Sequence, residues 1–306
     1  MRIAHLSDLH LCSKHKKSNI GKTKKLIQLA LDNGAQHFVI TGDISDNANE
    51  NDFIMLKEVL KRFDLFRSDK TTVIIGNHDI FGGPQTVNDV VKFPHKCIST
   101  NYTEKVNKFV EHFKELFENT IKLSDDFHFP FAKELKDIVL VGVNSVDQYS
   151  RFKNPFASNG NVSKFQRQLV EGLLSNTKFR DKVKIVLAHH HFYHKHDCSK
   201  SSESALWNKI ENFTMKLKGK KKLIKIFVDN GVKIVLHGHS HDMKEYFRKG
   251  IRFVNAGASV DPSLKEGASL YLIDAFPFDI STTLLSLPAR EVNSKEIYEP
   301  LTSVAV

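Results

Sequence analysis

The chain has 306 residues, 41% of them hydrophobic, and sets 45 Lys and Arg against 35 Asp and Glu for a net charge of +10. That length allows one large core or two small ones, and a single decorated domain over 1–306 is the economical reading. No apolar stretch approaches the roughly 20 residues of a membrane helix, and Met1 runs into an apolar segment without a basic leader; Cys12, Cys97 and Cys198 lie too far apart for a disulfide framework or a thiolate zinc site, so a cytoplasmic protein with reduced thiols is expected.

Residues 3–6 form a short apolar run that reads as a buried strand, and Asp8-Leu9-His10 follows it. Next come Lys14, Lys16, Lys17, Lys22, Lys24 and Lys25, which read as a solvated face or, directly behind the Asp8/His10 loop, as a field steering an anionic substrate. A helix is predicted over 20–31, stopped by Gly34, and a strand over 38–40 leads into Gly42-Asp43-Ile44-Ser45-Asp46. Asn51 or Asp52 can cap the next helix, in which Phe53, Leu56, Val59, Leu60 and Phe63 recur at helical spacing. A third strand, 73–75, ends at Gly76-Asn77-His78-Asp79. Strands and helices alternating over short joints imply a parallel sheet covered by helices, with ligands at the carboxyl ends of its strands.

Residues 81–135 break the rhythm. They open with Phe81-Gly82-Gly83-Pro84, contain one strong helix with the stripe Val106, Phe109, Val110, Phe113, Leu116 and Phe117, and hold eight of the 23 Phe residues. This composition reads as a cap whose Phe stripe packs it onto the main domain. The alternation resumes with a strand over 138–143, a helix over 164–174 and a strand over 183–187 ending at His189-His190-His191. A polar loop (194–204), a long helical region to Asp229 that holds a second lysine run, and a strand over 233–236 then lead to Gly238-His239-Ser240-His241. Short antiparallel strands follow at 246–248, 251–255, 269–274 and 280–287, and are expected to form a second sheet packed on the first.

Five separate apolar runs thus each end in Asp, Asn or His, which would gather those groups along one sheet edge as a metal site. Two divalent cations close together need a carboxylate between them to offset their repulsion, and Asp43 is the best candidate. Imidazole and carboxylate ligands suit manganese, iron and zinc. Such a pair can hold a hydroxide as nucleophile and neutralise phosphoryl oxygens during in-line displacement, which favours phosphate ester hydrolysis.

Taken together, the series Asp-x-His, Gly-Asp-x-x-Asp, Gly-Asn-His-Asp, His and Gly-His-x-His resembles the calcineurin-like metallophosphoesterase superfamily over residues 1 to about 275. It is especially similar to the class III cyclic-nucleotide phosphodiesterases. The resemblance implies a four-layer α/β/β/α sandwich of two mixed β-sheets with a helical cap insertion at about 81–135. It also implies two divalent ions, manganese or iron before zinc. Asp8, His10 and His241 would bind one; Asn77, His189 and His239 would bind the other; Asp43 would bridge. His78 would contact the phosphoryl oxygen or protonate the leaving group, and Asp46 and Asp79 would orient neighbouring groups or serve as turn and cap residues.

One step of this transfer is open, because the family pattern has a proline after its histidine pair and this chain has none. First position after the strand favours His189 as ligand, with His190 next; His194 and His196 read as surface or substrate-facing groups. The expected substrate is a small or medium anionic phosphoester. Other readings are a UDP-2,3-diacylglucosamine-type pyrophosphate hydrolase with acyl chains under the Phe-rich cap, a nuclease drawing on the basic surplus, and a non-catalytic scaffold, which the full ligand set disfavours.

Overall fold

Alternate side chains of the central strands point into two different cores, and this period of two builds the layers of the molecule. The computed structural model describes residues 1–84, 87–192, 215–257, 259–260, 267–276 and 279–288. Their elements are, in chain order, β1 (Arg2–Leu6), α1 (Ser18–Asp32), β2 (His37–Thr41), α2 (Glu50–Arg62), β3 (Thr71–Ile74), α3 (Asn77–Ile80), α4 (Val87–Ser99), α5 (Tyr102–His112), β4 (Thr120–Ile121), β5 (Phe131–Glu134), β6 (Ile138–Val143), β7 (Gly160–Asn161), α6 (Lys164–Leu174), β8 (Val183–Ala188), β9 (Leu217–Lys218), α7 (Lys220–Asp229), β10 (Ile234–His237), β11 (Met243–Arg248), β12 (Ile251–Ala256), β13 (Ser269–Ala275) and β14 (Ile280–Ser286).

One sheet has the order β14-β13-β1-β2-β3 and the other β11-β12-β10-β8-β6-β5-β4. β1, β2 and β3 run parallel, as do β6, β8, β10 and β12, and antiparallel strands at the margins make both sheets mixed. Ile138, Leu140, Ile185, Leu187, Ile234 and Leu236 of the larger sheet share one cluster with Ile3, Leu6, Phe38 and Ile40 of the smaller. Their sequence neighbours Val139, Val141, Val186 and Val235 turn the other way, onto Val170, Leu173, Leu223 and Phe227 of α6 and α7. Helices α1 and α2 cover the smaller sheet through Leu26, Ile27, Phe53, Leu56 and Leu60, which completes an α/β/β/α sandwich. Each fully buried side chain of this kind contributes roughly 1.5–3 kcal/mol.

Three expectations are corrected. The C-terminal strands do not form a sheet of their own: β13 pairs antiparallel with β1 in one sheet, whereas β12 pairs parallel with β10 in the other. The second sheet is instead founded on β6, β8 and β10. Local periodicity identifies a strand but not its neighbour, because pairing is decided by which apolar faces meet. The cap of α2 is Asn49, whose side chain accepts from Asn51 N at 3.0 Å, so that helix begins at Glu50. Among the described residues of 81–135 a second α-helix, α4, and a 3-10 turn accompany the one read from the sequence; Pro94 inside α4 breaks the sequence signal for a helix there.

The Phe stripe of that segment is buried, apart from half-buried Phe117. Phe109 and Phe113 stand 5.5 and 5.7 Å from the ring of Phe53 in α2, and Phe117, Phe129 and Phe131 contact one another at 5.2–5.8 Å. The stripe is not one helix, since α5 ends at His112 and a 3-10 turn spans Lys114–Phe117. β4 and β5 continue the larger sheet, and Lys133 Nζ donates to the carbonyls of Ser68, Thr71 and Leu116 at 3.0, 2.9 and 2.6 Å. With these rings committed to the core, the acyl-chain reading loses the observation it rested on.

Candidate metal centre

Because β1, β2 and β3 are parallel in one sheet and β8 and β10 in the other, the five loops that follow them leave at a common end. Asp8, His10, Asp43 and His239 there have φ of 54°, 41°, 52° and 72°, the left-handed region that costs a non-glycine residue roughly 1–3 kcal/mol. Paired backbones hold them in place: Asp8 N donates to Gly42 O (3.1 Å), His10 N to Asp43 O (2.9 Å), Leu11 N to Ile44 O (2.8 Å) and Asp46 N to Leu11 O (3.1 Å). Two glycines are required by close approach. A Cβ at Gly76 would lie 2.2 Å from Asp43 Oδ1, and one at Gly238 would lie 2.2 Å from Asp8 Oδ2.

The nominated residues form two adjoining groups. In one, Nε2 of His189 lies 3.0 Å from Asn77 Oδ1, 3.2 Å from His239 Nδ1 and 3.2 Å from Asp43 Oδ2. His189 Nδ1 donates to Thr41 O at 2.8 Å, which fixes the ring and turns Nε2 inward. In the other, Asp8 Oδ1 lies 4.0 Å from Nε2 of both His10 and His241. That distance is too long for a hydrogen bond but within reach of two donors on one ion at bonds of about 2.1 Å. His241 is exposed, whereas the rest of these residues are buried.

Electrostatics fit a cation in each group. Burial would lower the His189 imidazole, but Asp43 beside it, aided by Asp8, pushes it up to about 9. Burial would likewise raise Asp43, yet His189 and His78 hold its carboxyl well below the ordinary range. His10 is raised against its burial by Asp46, Asp43 and Asp8. His239 is driven well below its ordinary value by burial and by His190, which keeps it in the neutral form that binds metals. Nε2 of His10 and Nε2 of His239 are buried without a hydrogen-bond partner. Orphaned buried nitrogens of this kind cost free energy unless something takes them.

Other nominated residues surround these groups. His78 N donates to Asp43 Oδ1 at 2.7 Å, and its Nδ1 donates to Asp46 O at 3.0 Å. Asp46 Oδ1 lies 3.1 Å from His10 Nδ1, and Asp79 accepts from Ser45 N and Gly76 N, both at 2.8 Å. His190 stands beside the convergence: its ring lies 4.3 Å from that of His239, Nδ1 lies 2.9 Å from Ser145 Oγ, Nε2 is buried without a hydrogen-bond partner, and a Cβ at Gly160 would be 2.5 Å from Cγ. His194 and His196 lie outside the described residues.

A model of the family described as calcineurin-like phosphoesterase matches residues 1–243. The chain belongs to the calcineurin-like phosphoesterase family. Membership implies divalent metal cofactors, which the clustered Asp and His side chains could hold. Within the family, the chain is 30% identical over 168 residues to a probable cyclic nucleotide phosphodiesterase of Coxiella burnetii. That match takes in 54% of this chain and 57% of the relative, little more than half of either. The phosphoesterase fold is shared with a dimetal phosphatase of Danio rerio at a TM-score of 0.57 and 11% identity, covering 92% of this chain and 98% of that one. It is shared also with a purple acid phosphatase from yellow lupin (Lupinus luteus) seeds at a TM-score of 0.58 and 13% identity, covering 97% and 52%.

Two lysines of the first basic run depart from the solvated-face reading. Lys16 Nζ donates to Asp46 Oδ1 at 2.9 Å, and Lys22 is buried with its Nζ on Val260 O at 3.0 Å. The Thr41 carbonyl that orients His189 was also not foreseen, since a backbone acceptor leaves no mark on residue type.

Proposed function

We propose that the protein is a phosphodiesterase acting on an anionic phosphoester with two divalent cations. Asp8, His10 and His241 would hold one, Asn77, His189 and His239 the other, and Asp43 both. Manganese or iron suits this nitrogen and oxygen set, and zinc is also compatible. Bound there, the cations would supply Lewis acidity to the phosphoryl oxygens and to water. The observation that carries the reading is the crowding of Asn77, His239 and Asp43 within 3.2 Å of His189 Nε2, beside a second group built on Asp8.

The chain's own groups would do the rest. Thr41 O and Asp46 keep His189 and His10 turned toward the site, and the backbone of His78 holds Asp43 Oδ1. Because His78 Nδ1 is bonded to Asp46 O, Nε2 is the atom left to deliver a proton to the departing oxygen. The likeness to a probable cyclic nucleotide phosphodiesterase supports a diester over a monoester substrate. Buried, unpaired Cys12 and Cys97 support a cytoplasmic location. Residues 1–306 are read as one domain, with 81–135 its insertion.

Protein reconstituted with Mn²⁺ should cleave bis-p-nitrophenyl phosphate and leave p-nitrophenyl phosphate nearly untouched. Preference for the monoester would overturn the diesterase assignment, and inertness toward both at full metal occupancy would overturn the hydrolase itself.

A further inference from the structure

The three loops that carry His10, Asp46 and His78 continue into one cavity of about 700 Å³, lined in turn by Cys12 to His15, Asn47 to Glu50 and Gly83-Pro84, and closed by α4. Gly83 is the hinge between cavity and site: a Cβ there would lie 2.3 Å from His78 Cε1, and Gly83 N donates to Asp46 O at 3.0 Å. The preceding residue, Gly82, is covered by Lys96, whose Nζ would be 2.6 Å from a Cβ at that position. The volume is that of a small-molecule pocket.

Its charged lining comprises Lys14, Lys92 and Lys96 beside Glu50, Asp52 and Asp89. Lys14, Lys92 and Lys96 line the cavity, and none of them makes an ion pair or side-chain hydrogen bond among the described residues. Of these acids, Glu50 is taken by Lys108 at 2.9 Å and His112 at 3.1 Å, whereas Asp52 is buried and accepts from the neutral Ser45 Oγ at 2.7 Å. Asp89 is the remaining acid on the wall. Between the lysines the floor is apolar, formed by Phe93 and Ala48, each 6% exposed. Three lysines around an apolar floor, with Asp89 acting on Lys96, match an anion joined to a flat ring.

We propose that this cavity receives the flank of a linear phosphodiester bearing a second phosphate, as in a 5′-phosphorylated dinucleotide, in preference to a cyclic mononucleotide. The inference rests on the phosphodiesterase reading of the adjoining site. A cyclic mononucleotide has one phosphate, which the metal centre would take, so the three lysines would gain nothing from it. A second phosphate on the flank answers them, while the base lies over Phe93.

The test compares dithymidine monophosphate with and without an added 5′-phosphate, using the Mn²⁺-loaded full chain and resolving products chromatographically. The phosphorylated substrate should have the higher kcat/KM, mostly through KM, by about tenfold, the worth of one charge-assisted contact. Lys96→Met should remove most of that preference, Lys96→Arg should keep it, and Lys122→Met, an equal loss of charge on a surface away from the cavity, should change it less than about twofold. Equal handling of the two dinucleotides, or equal loss of preference in Lys122→Met, would overturn the cavity assignment alone. Failure to cleave bis-p-nitrophenyl phosphate would instead remove the phosphodiesterase reading beneath it.

Discussion

Oδ1 of Asp46 lies 3.1 Å from Nδ1 of His10, and the same oxygen accepts from Lys16 Nζ at 2.9 Å. His10 and Lys16 together outweigh burial and hold the Asp46 carboxyl at about 2, so it stays ionised beside the His10 ring, whose Nε2 lies 4.0 Å from Asp8 Oδ1. Partners of this kind set the orientation and basicity of a metal-binding imidazole.

Replacing Asp46 by Ala should therefore weaken Mn²⁺ binding roughly 10–100-fold while the stoichiometry at saturating metal is unchanged. Titration calorimetry reads both quantities. An unaltered affinity would show that His10 needs no such partner.

His189→Ala should bind one ion fewer than the wild type, because Nε2 of this ring is where Asn77, Asp43 and His239 meet. His190→Ala should keep the full complement, as its ring is held by Ser145 and stands on Gly160. Metal content by mass spectrometry distinguishes the two, and the opposite result would exchange their roles.

For His78→Ala, turnover of a diester with an alkoxide leaving group should fall roughly 10²–10⁴-fold with metal content intact. The loss should be much smaller with p-nitrophenolate, which departs without a proton. Equal losses on both substrates would assign His78 to phosphoryl binding.

Acid stability should depend on a residue remote from the site. His37 is fully buried, with Nδ1 2.9 Å from Asp69 O and Nε2 2.8 Å from Thr72 Oγ1, and burial with the charge of Lys133 lowers it from 6.5 to about 3. Because the folded value is the lower one, the unfolded chain takes up the proton first. The stability His37 confers is complete above about pH 6.5 and is lost as pH falls toward about 3, by at most about 1.4 kcal/mol per pH unit. Urea unfolding of wild type and His37→Asn in EDTA, at several pH values between 7 and 4, should show a shallower slope in the variant. Parallel slopes would mean that His37 protonates in the folded state as readily as in the unfolded one.

The places of the nominated ligands could be read in advance because a strand end followed by a polar loop is a local pattern: an apolar run of four or five residues, then Asp8 or His189. The nearly unbroken apolar runs of β6, β8 and β10 likewise carry their burial on both faces. Other features depended on which distant segments came together. Pairing of β13 with β1 and of β12 with β10 depends on matched apolar faces hundreds of residues apart in one case and separated by β11 in the other. Lys16 and Lys22 look alike within a lysine run, yet one finds Asp46 and the other is buried against Val260 O. His189 and His190 are neighbours in sequence, yet Thr41 O holds one ring and Ser145 Oγ the other, partners 148 and 45 residues away. Residue type and period specify what each segment can do on its own; burial, register and hydrogen-bond partners are properties of pairs, and only the folded chain assigns the pairs.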